Sequence, residues 1–178
     1  MRQVAIIGQG PGCDSYPRDW ETWGLSWAKN YGLTRYFEIH DVWRDCHKKY
    51  GNDGKGYYDE NPVDVLNDLP NVYLPEEDNG IPRGERYPIE AVIAEVGNYL
   101  ECSISFMLAL AILERVPTIG LYGVSGDDGY SSQRPNIEYL IGFARGVGIN
   151  VHIGAGSCLL RSSFPGGRYG LEENEHGY

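Results

Sequence analysis

Several common functional signatures are missing from this sequence of 178 residues. Its four cysteines form no CxxC pair, which argues against a zinc ribbon, and no GxxxxGK[ST] stretch marks a P-loop. The longest apolar run, residues 104–113, is about half as long as a membrane-spanning helix. The chain starts without the basic segment and cleavage site of a secretory signal. These absences lead us to expect a cytoplasmic protein with reduced thiols.

Positive charge is also scarce. The chain carries 15 Lys and Arg against 25 Asp and Glu, a formal net charge of −10. Binding to duplex nucleic acid needs clustered cations that displace counterions, so duplex nucleic acid is not an expected partner. We expect a small-molecule nucleotide ligand instead and no membrane contact. A homo-oligomer remains open.

Strand-like and helix-like apolar patterns alternate along the chain. This alternation predicts the α/β class, as a single Rossmann-like three-layer domain over residues 1–164 with a mostly parallel sheet. Residues 165–178 are predicted to form a flexible acidic tail. The segments 44–62 and 76–88 are polar and are predicted to be surface loops. Strands are predicted at 3–7, 22–25, 36–40, 71–74, 118–123 and 151–153, and helices at 63–69, from 89, at 103–115 and at 135–146.

The first predicted strand runs into a glycine-rich turn, Gly8-Gln9-Gly10-Pro11-Gly12. Gly8, Gly10 and Gly12 can take positive φ, and their bare N–H groups at the carboxyl end of a strand would suit a phosphate. A dinucleotide fingerprint would need glycine at position 13, where Cys13 stands. A tight turn without a ligand explains the pattern as well. A second glycine turn at 154–157 strengthens the prediction of a nucleotide cleft.

Polar residues end other predicted strands or begin helices. His40 could serve as a general acid or base or bind a phosphate, or it could only cap the next turn. Ser26 follows the second predicted strand and is expected to face the same cleft. Ser103 is predicted to cap a buried helix and to offer backbone donors to an anion. Because His40 and His47 lack zinc-ligand spacing, no metal site is predicted from them.

Carboxylates supply further candidates. Asp127, beside Asp128, could act as a base or hold Mg²⁺ or Mn²⁺ against a phosphate, although a solvated turn fits equally. Glu138 lies near the start of the helix 135–146, where it complements the helix dipole or acts as a catalytic carboxylate.

Two arginines stand out in a predicted loop. Arg83 and Arg86 are bounded by Pro and Gly in an acidic chain, and the guanidinium group suits phosphate. We expect them to bind the ligand from a closing lid, with ordinary surface arginines as the alternative.

Short motifs resemble known families. The segments 23–25 (WGL) and 37–40 (FEIH) resemble a group of uncharacterised bacteriophage proteins. The segments 6–12, 102–112 and 119–125 are more distantly similar to Rossmann-type bacterial sialyltransferases. They are also similar to the related motility-accessory-factor and hydroxymethylpterin-pyrophosphokinase-like proteins.

In the sialyltransferases the matching segments bind the cytidine nucleotide of the donor sugar. The resemblance places that role on Gln9, Gly10, Ser26, His40 and Ser103.

The chain departs from the sialyltransferase pattern at three points. The serine of the family's Gly-Pro-Ser turn is Gly12, and the asparagine of its second strand end is Ser26. The family's catalytic histidine has no counterpart, because residues 126–150 contain no histidine.

Three functions follow from these expectations. The first is a phage-type glycosyl or related group transferase that uses a nucleotide or nucleotide sugar and acts on a small or modified acceptor. The second is a protein that binds or sequesters a nucleotide without turnover. The third is a nucleosidase or deoxyribosyltransferase that uses Glu138.

Overall fold

The computed structural model describes residues 1–26, 32–40, 62–75, 81, 83–126 and 131–161. Seven strands of these described residues form one sheet. They are β1 (Gln3–Ile7), β2 (Glu21–Leu25), β3 (Arg35–Phe37), β4 (Val72–Leu74), β5 (Gly84–Arg86), β6 (Thr118–Tyr122) and β7 (Asn150–Ile153). The helices of the described residues are α1 (Pro62–Asn67), α2 (Ile89–Val96), α3 (Ser103–Leu113) and α4 (Arg134–Gly146).

All neighbouring strands pair in parallel, in the order β5-β4-β3-β2-β1-β6-β7. The predicted Rossmann-like α/β class is therefore confirmed. The strand order reverses at β1, since β2 continues the sheet on one side and β6 on the other. Connections leave β1 and β6 in opposite directions at such a reversal, which opens a crevice at their carboxyl ends.

The sheet is buried on both faces. Val4 and Ile6 of β1 lie in one apolar cluster with α2, α3 and α4, whereas Ala5 and Ile7 lie in a second cluster with α1. This alternation follows from the two-residue period of a strand. Helix α3 is apolar nearly all round and is mostly buried, as its sequence predicts for a central helix.

Two predictions on the strands need correction. Residues 84–86, predicted to lie in a loop, form the edge strand β5, which pairs with β4 through the backbone. A Cβ on Gly84 would lie 2.4 Å from Leu74 Cδ1 and 3.1 Å from the carbonyl oxygen of Ile81, so a larger residue here would have to displace its neighbours. The third strand ends at Phe37 and not at His40.

The predicted tail 165–178 and most of the predicted loop 44–62 lie outside the described residues. Among the described helices, none has the length and apolar character needed to cross a bilayer.

Candidate functional site

A cavity of about 430 Å³ lies where the strand order reverses, over the carboxyl ends of β1 and β6. Its walls come from the turn 8–10 after β1, the turn 123–126 after β6 and the start of α3, residues 101–104. The remaining lining residues in the described part of the chain are Leu25, His40, Gln133 and Ile137. Five residues predicted for the site line this cavity together: Gly8, Gln9, Gly10, His40 and Ser103.

The glycine turn after β1 is built differently from the prediction. The N–H of Gly8 donates to the carbonyl of Tyr122 (2.8 Å), and that of Gly10 donates to the carbonyl of Gly123 (2.7 Å). These two donors are therefore engaged in holding the two turns together and are not bare groups for a phosphate. Of the three glycines of this turn, Gly12 alone has a positive φ, 79°.

The second glycine turn, 154–157, supports the cavity from outside. The N–H of Gly154 donates to the carbonyl of Leu121 (2.8 Å), and Ser157 Oγ donates to the carbonyl of Val124 (2.7 Å). A Cβ on Gly12 would lie 2.8 Å from the carbonyl oxygen of Ala155. Gly12 and this turn thus brace the lining turns and do not themselves line the cavity.

The start of α3 forms one wall of the cavity. Cys102 is the N-cap residue and Ser103 is the first helical residue, so the predicted cap is displaced by one position. The hydroxyl of Ser105 accepts the Cys102 N–H (3.1 Å) and donates to the Cys102 carbonyl (2.6 Å), which fixes the helix entry. Burial raises the pKa of the Cys102 thiol, which keeps this group neutral at pH 7. The first-turn N–H groups and the helix dipole contribute partial positive charge to this wall, beside the carboxylate of Glu101.

A buried asparagine of α4 holds the segment that leads into α3. Asn136 Oδ1 accepts the Glu101 N–H (3.2 Å), and Asn136 Nδ2 donates to the carbonyl of Tyr99. Asn136 is fully buried. The sequence offered one signal of this role: a polar residue directly before Ile137 on the apolar face of α4.

A buried glutamate links two of the predicted site residues. Glu38 is 1% exposed. Its Oε1 accepts from the His40 N–H (3.0 Å) and lies 2.7 Å from His40 Nδ1, and its Oε2 accepts from Ser26 Oγ (2.8 Å). Ser26 therefore contacts Glu38 and is not part of the cavity lining. Glu38 was missed by the sequence reasoning, although a carboxylate inside the apolar segment 36–39 is a signal of a built polar contact.

Other predicted residues lie away from the cavity. Arg86 ends β5 at the edge of the sheet, four strand spacings or roughly 19 Å from β1, and pairs with Glu90 at 2.5 Å. Arg83 lies in the turn just before β5. The structure therefore does not bring these arginines to the cavity as a lid would.

Glu138 is engaged in structural contacts. Its Oε1 lies 2.6 Å from Arg134 Nε and accepts the Leu160 N–H at 2.6 Å. It is not among the residues that line the cavity. Asp127 and Asp128 lie outside the described residues. Within the part of the chain that is described, no group of three or more His, Cys, Asp and Glu could hold a metal ion.

Comparison with known proteins places the fold. No protein-family model matches the chain, and no curated protein matches it. Among solved structures, it is similar to the sialyltransferase CstII from Campylobacter jejuni in complex with a substrate analogue, cytidine-5'-monophosphate. The TM-score is 0.57 at 12% identity, over 89% of this chain and 82% of that chain. The chain thus has a fold similar to that of a sialyltransferase, as the resemblance of its motifs implied.

Proposed function

We propose that this protein is a glycosyltransferase-like enzyme that binds a nucleotide or nucleotide sugar in the cavity and transfers the attached group to a small acceptor. The observation that carries the proposal is the position of the cavity. It lies at the β1–β6 reversal with the start of α3 on its wall, in a fold similar to that of a sialyltransferase whose complex contains cytidine-5'-monophosphate.

The phosphate group fits best at the start of α3. The N–H groups of a first helical turn have no partners within the helix, and they carry a partial positive charge toward an anion. Ser103 adds a hydroxyl at this wall, and Gln9 adds an exposed amide on the opposite turn. In this proposal the start of α3 binds the phosphate, which the sequence pattern had predicted to bind to the N–H groups of Gly8 and Gly10.

The base and the sugar would lie against the apolar part of the lining. Leu25, Ile104 and Ile137 supply that surface, and Gln133 supplies a side chain that both donates and accepts hydrogen bonds. The volume of about 430 Å³ falls within the usual range for small-molecule sites, about 300–1,000 Å³. A nucleoside monophosphate therefore has room here.

The alternative of a protein that binds a nucleotide without turnover uses the same cavity, and only a turnover assay separates it from a transferase. A divalent cation held by Asp127 belongs to this proposal too, so each assay is run with and without Mg²⁺ and Mn²⁺. A phage origin and the relation to motility-accessory factors remain predictions.

Thermal unfolding with a ligand panel tests the proposal. The panel contains the four nucleoside monophosphates and a sugar conjugate of CMP (a CMP-sugar), with inorganic phosphate as a control. A ligand at 100 times its Kd adds about 2.7 kcal/mol of stability, which raises the Tm of a chain of this size by about 5–10 °C. We expect such a shift with at least one nucleotide, followed by nucleotide release from its sugar conjugate. If no nucleotide raises the Tm, the proposal is wrong.

A further inference from the structure

We propose that His40 is the proton-transfer group of the cavity and that the buried carboxylate of Glu38 positions it. The sequence pattern indicates His40 as one of several candidate acid–base residues and does not indicate Glu38. The substrate in this inference rests on the proposed function, whereas the pairing of the two residues rests on geometry alone.

The carboxylate of Glu38 contacts both the backbone and the ring of His40. Its Oε1 accepts the backbone N–H of His40 at 3.0 Å and lies 2.7 Å from Nδ1 of the same ring. A carboxylate can only accept hydrogen bonds, so Nδ1 carries the hydrogen and Nε2 is the basic nitrogen of the neutral ring. The pair therefore selects one tautomer and one ring orientation.

Ser26 completes the support from the neighbouring strand. Its hydroxyl donates to Oε2 of Glu38 at 2.8 Å, and both residues are buried. Each oxygen of the carboxylate is thus held, one by Ser26 and the other by His40. Rotation of the carboxylate would break its contacts with both Ser26 and His40. These contacts therefore hold the carboxylate, and with it the His40 ring, in one orientation.

Glu38 is buried and His40 is partly exposed to the cavity, which is the combination that acid–base catalysis by the histidine needs. Glu38 is 1% exposed, while the side chain of His40 is 37% exposed and lines the cavity. Burying a carboxylate is unfavourable unless hydrogen bonds compensate for the lost hydration, and a neutral glutamine could hold a turn without that penalty. A buried carboxylate behind an accessible imidazole is the arrangement that supports general acid–base catalysis. The other ionisable groups on the described cavity wall are Glu101 and Cys102.

The step that this arrangement supports is transfer from a nucleotide sugar. An acceptor hydroxyl attacks the anomeric carbon and forms the new C–O bond, while the bond from that carbon to the phosphate oxygen breaks. The bonding electron pair leaves with the phosphate, and the hydroxyl proton passes to His40 Nε2 and then to water. When water is the acceptor, the products are the free sugar and the nucleoside monophosphate, so hydrolysis reports the same step.

The first experiment tests the contact between Glu38 and His40 Nδ1 without any substrate. Nitrogen-15 NMR of the histidine rings in the full chain identifies which ring nitrogen carries the hydrogen. We expect His40 in wild type to be the Nδ1–H tautomer, and we expect Glu38→Gln to populate both tautomers. His152→Gln is the control, because His152 is exposed on β7 and does not line the cavity. An Nε2–H tautomer in wild type would overturn the pairing.

The second experiment reads catalysis in variants that are first shown to fold and to bind CMP. His40→Ala and Glu38→Gln are each assayed at CMP-sugar concentrations that saturate the variant, so that a change in affinity is separated from a change in rate. CMP release from a CMP-sugar should fall by about 100-fold or more in both, the usual contribution of a general acid or base. Added imidazole should restore part of the rate of His40→Ala but not that of Glu38→Gln. Release at the wild-type rate in His40→Ala would overturn the proposal.

The two experiments separate the failure of this inference from the failure of the proposed function. If wild type binds no nucleotide, the proposed function is wrong, and the tautomer measurement alone decides whether Glu38 positions His40. If wild type binds and releases CMP but His40→Ala does so equally, the function stands and this inference fails.

Discussion

A Cβ atom on Gly8 would lie 2.4 Å from the carbonyl oxygen of Gly123. Side chains do not tolerate that distance to a rigid backbone atom, so the turns after β1 and β6 meet in a way that only glycine allows. Because both turns line the cavity, its shape depends on this contact.

The first prediction concerns this contact. Gly8→Ala forces the two turns apart, and we expect it to lower the free energy of unfolding by about 2 kcal/mol and to weaken nucleotide binding. Gly142→Ala is the matched control, because Gly142 lies in α4 with open space around it. That change should raise stability by about 0.5–1 kcal/mol. Chemical denaturation measures the free energy of unfolding of both variants. A Gly8→Ala variant as stable as wild type would show that the turns do not depend on this contact.

The second prediction concerns the anion site at α3. Ser103→Asp places a negative charge in the first turn of the helix, which should leave stability unchanged or raise it by about 0.3–1 kcal/mol. The same charge repels a phosphate, so we expect CMP to bind at least about 10-fold more weakly. Ser103→Asn is the control, because asparagine has nearly the same shape as aspartate but no charge. It should bind CMP more tightly than Ser103→Asp. Calorimetric titration in low salt compares the two, and equal affinities would place the phosphate elsewhere.

The third prediction concerns Glu138. Its carboxylate accepts the N–H of Leu160, which has a positive φ of 58°, and pairs with Arg134. Glu138→Gln should lower stability by about 1–2 kcal/mol, because both contacts lose a charge. Turnover of the folded enzyme should be unchanged, since Glu138 does not line the cavity. Loss of turnover at unchanged stability would favour the nucleosidase alternative instead.

The fourth prediction concerns an ion-pair cluster at the amino ends of the strands. Burial alone would raise the pKa of Glu21, but hydrogen bonds from Arg2 and Trp23 and the charges of Arg2 and Arg35 outweigh it, and the pKa is lowered. A group whose pKa is lower when folded stabilises the protein above its ordinary value of 4.5, and this stabilisation is lost as the pH falls below that value.

Glu21→Gln tests this cluster. We expect the variant to be less stable than wild type by about 2 kcal/mol at about pH 7, and this difference should shrink at about pH 3. Urea unfolding at the two pH values measures it. A difference that does not change with pH would mean that the Glu21 charge contributes nothing.

The sequence predicted the long buried elements well because their signal is local. The apolar residues of β1, β6 and α3 follow the period of their own element, and burial on both sides of the sheet needs no further information. The edge strand β5 has no such signal, since Gly84, Glu85 and Arg86 form a strand only through backbone bonds to β4.

The candidate site was predicted in part for the same reason. Gly10 and His40 each come three residues after a strand, and Ser103 begins a helix, so all three lie near element ends that the sequence pattern indicates. The roles of Glu38 and Asn136 depend on partners that only the fold brings close. The N–H groups of Gly8 and Gly10 looked available because their acceptors lie more than 100 residues away in the chain.

A crystal structure of the protein with CMP is the sharpest test of the proposed nucleotide site. We expect the phosphate to lie within hydrogen-bond distance of the first-turn N–H groups of α3 near Ser103, with the base against Ile137 and Nε2 of His40 facing the phosphate end. CMP bound outside this cavity, or a cavity that stays empty at saturating CMP, would contradict it.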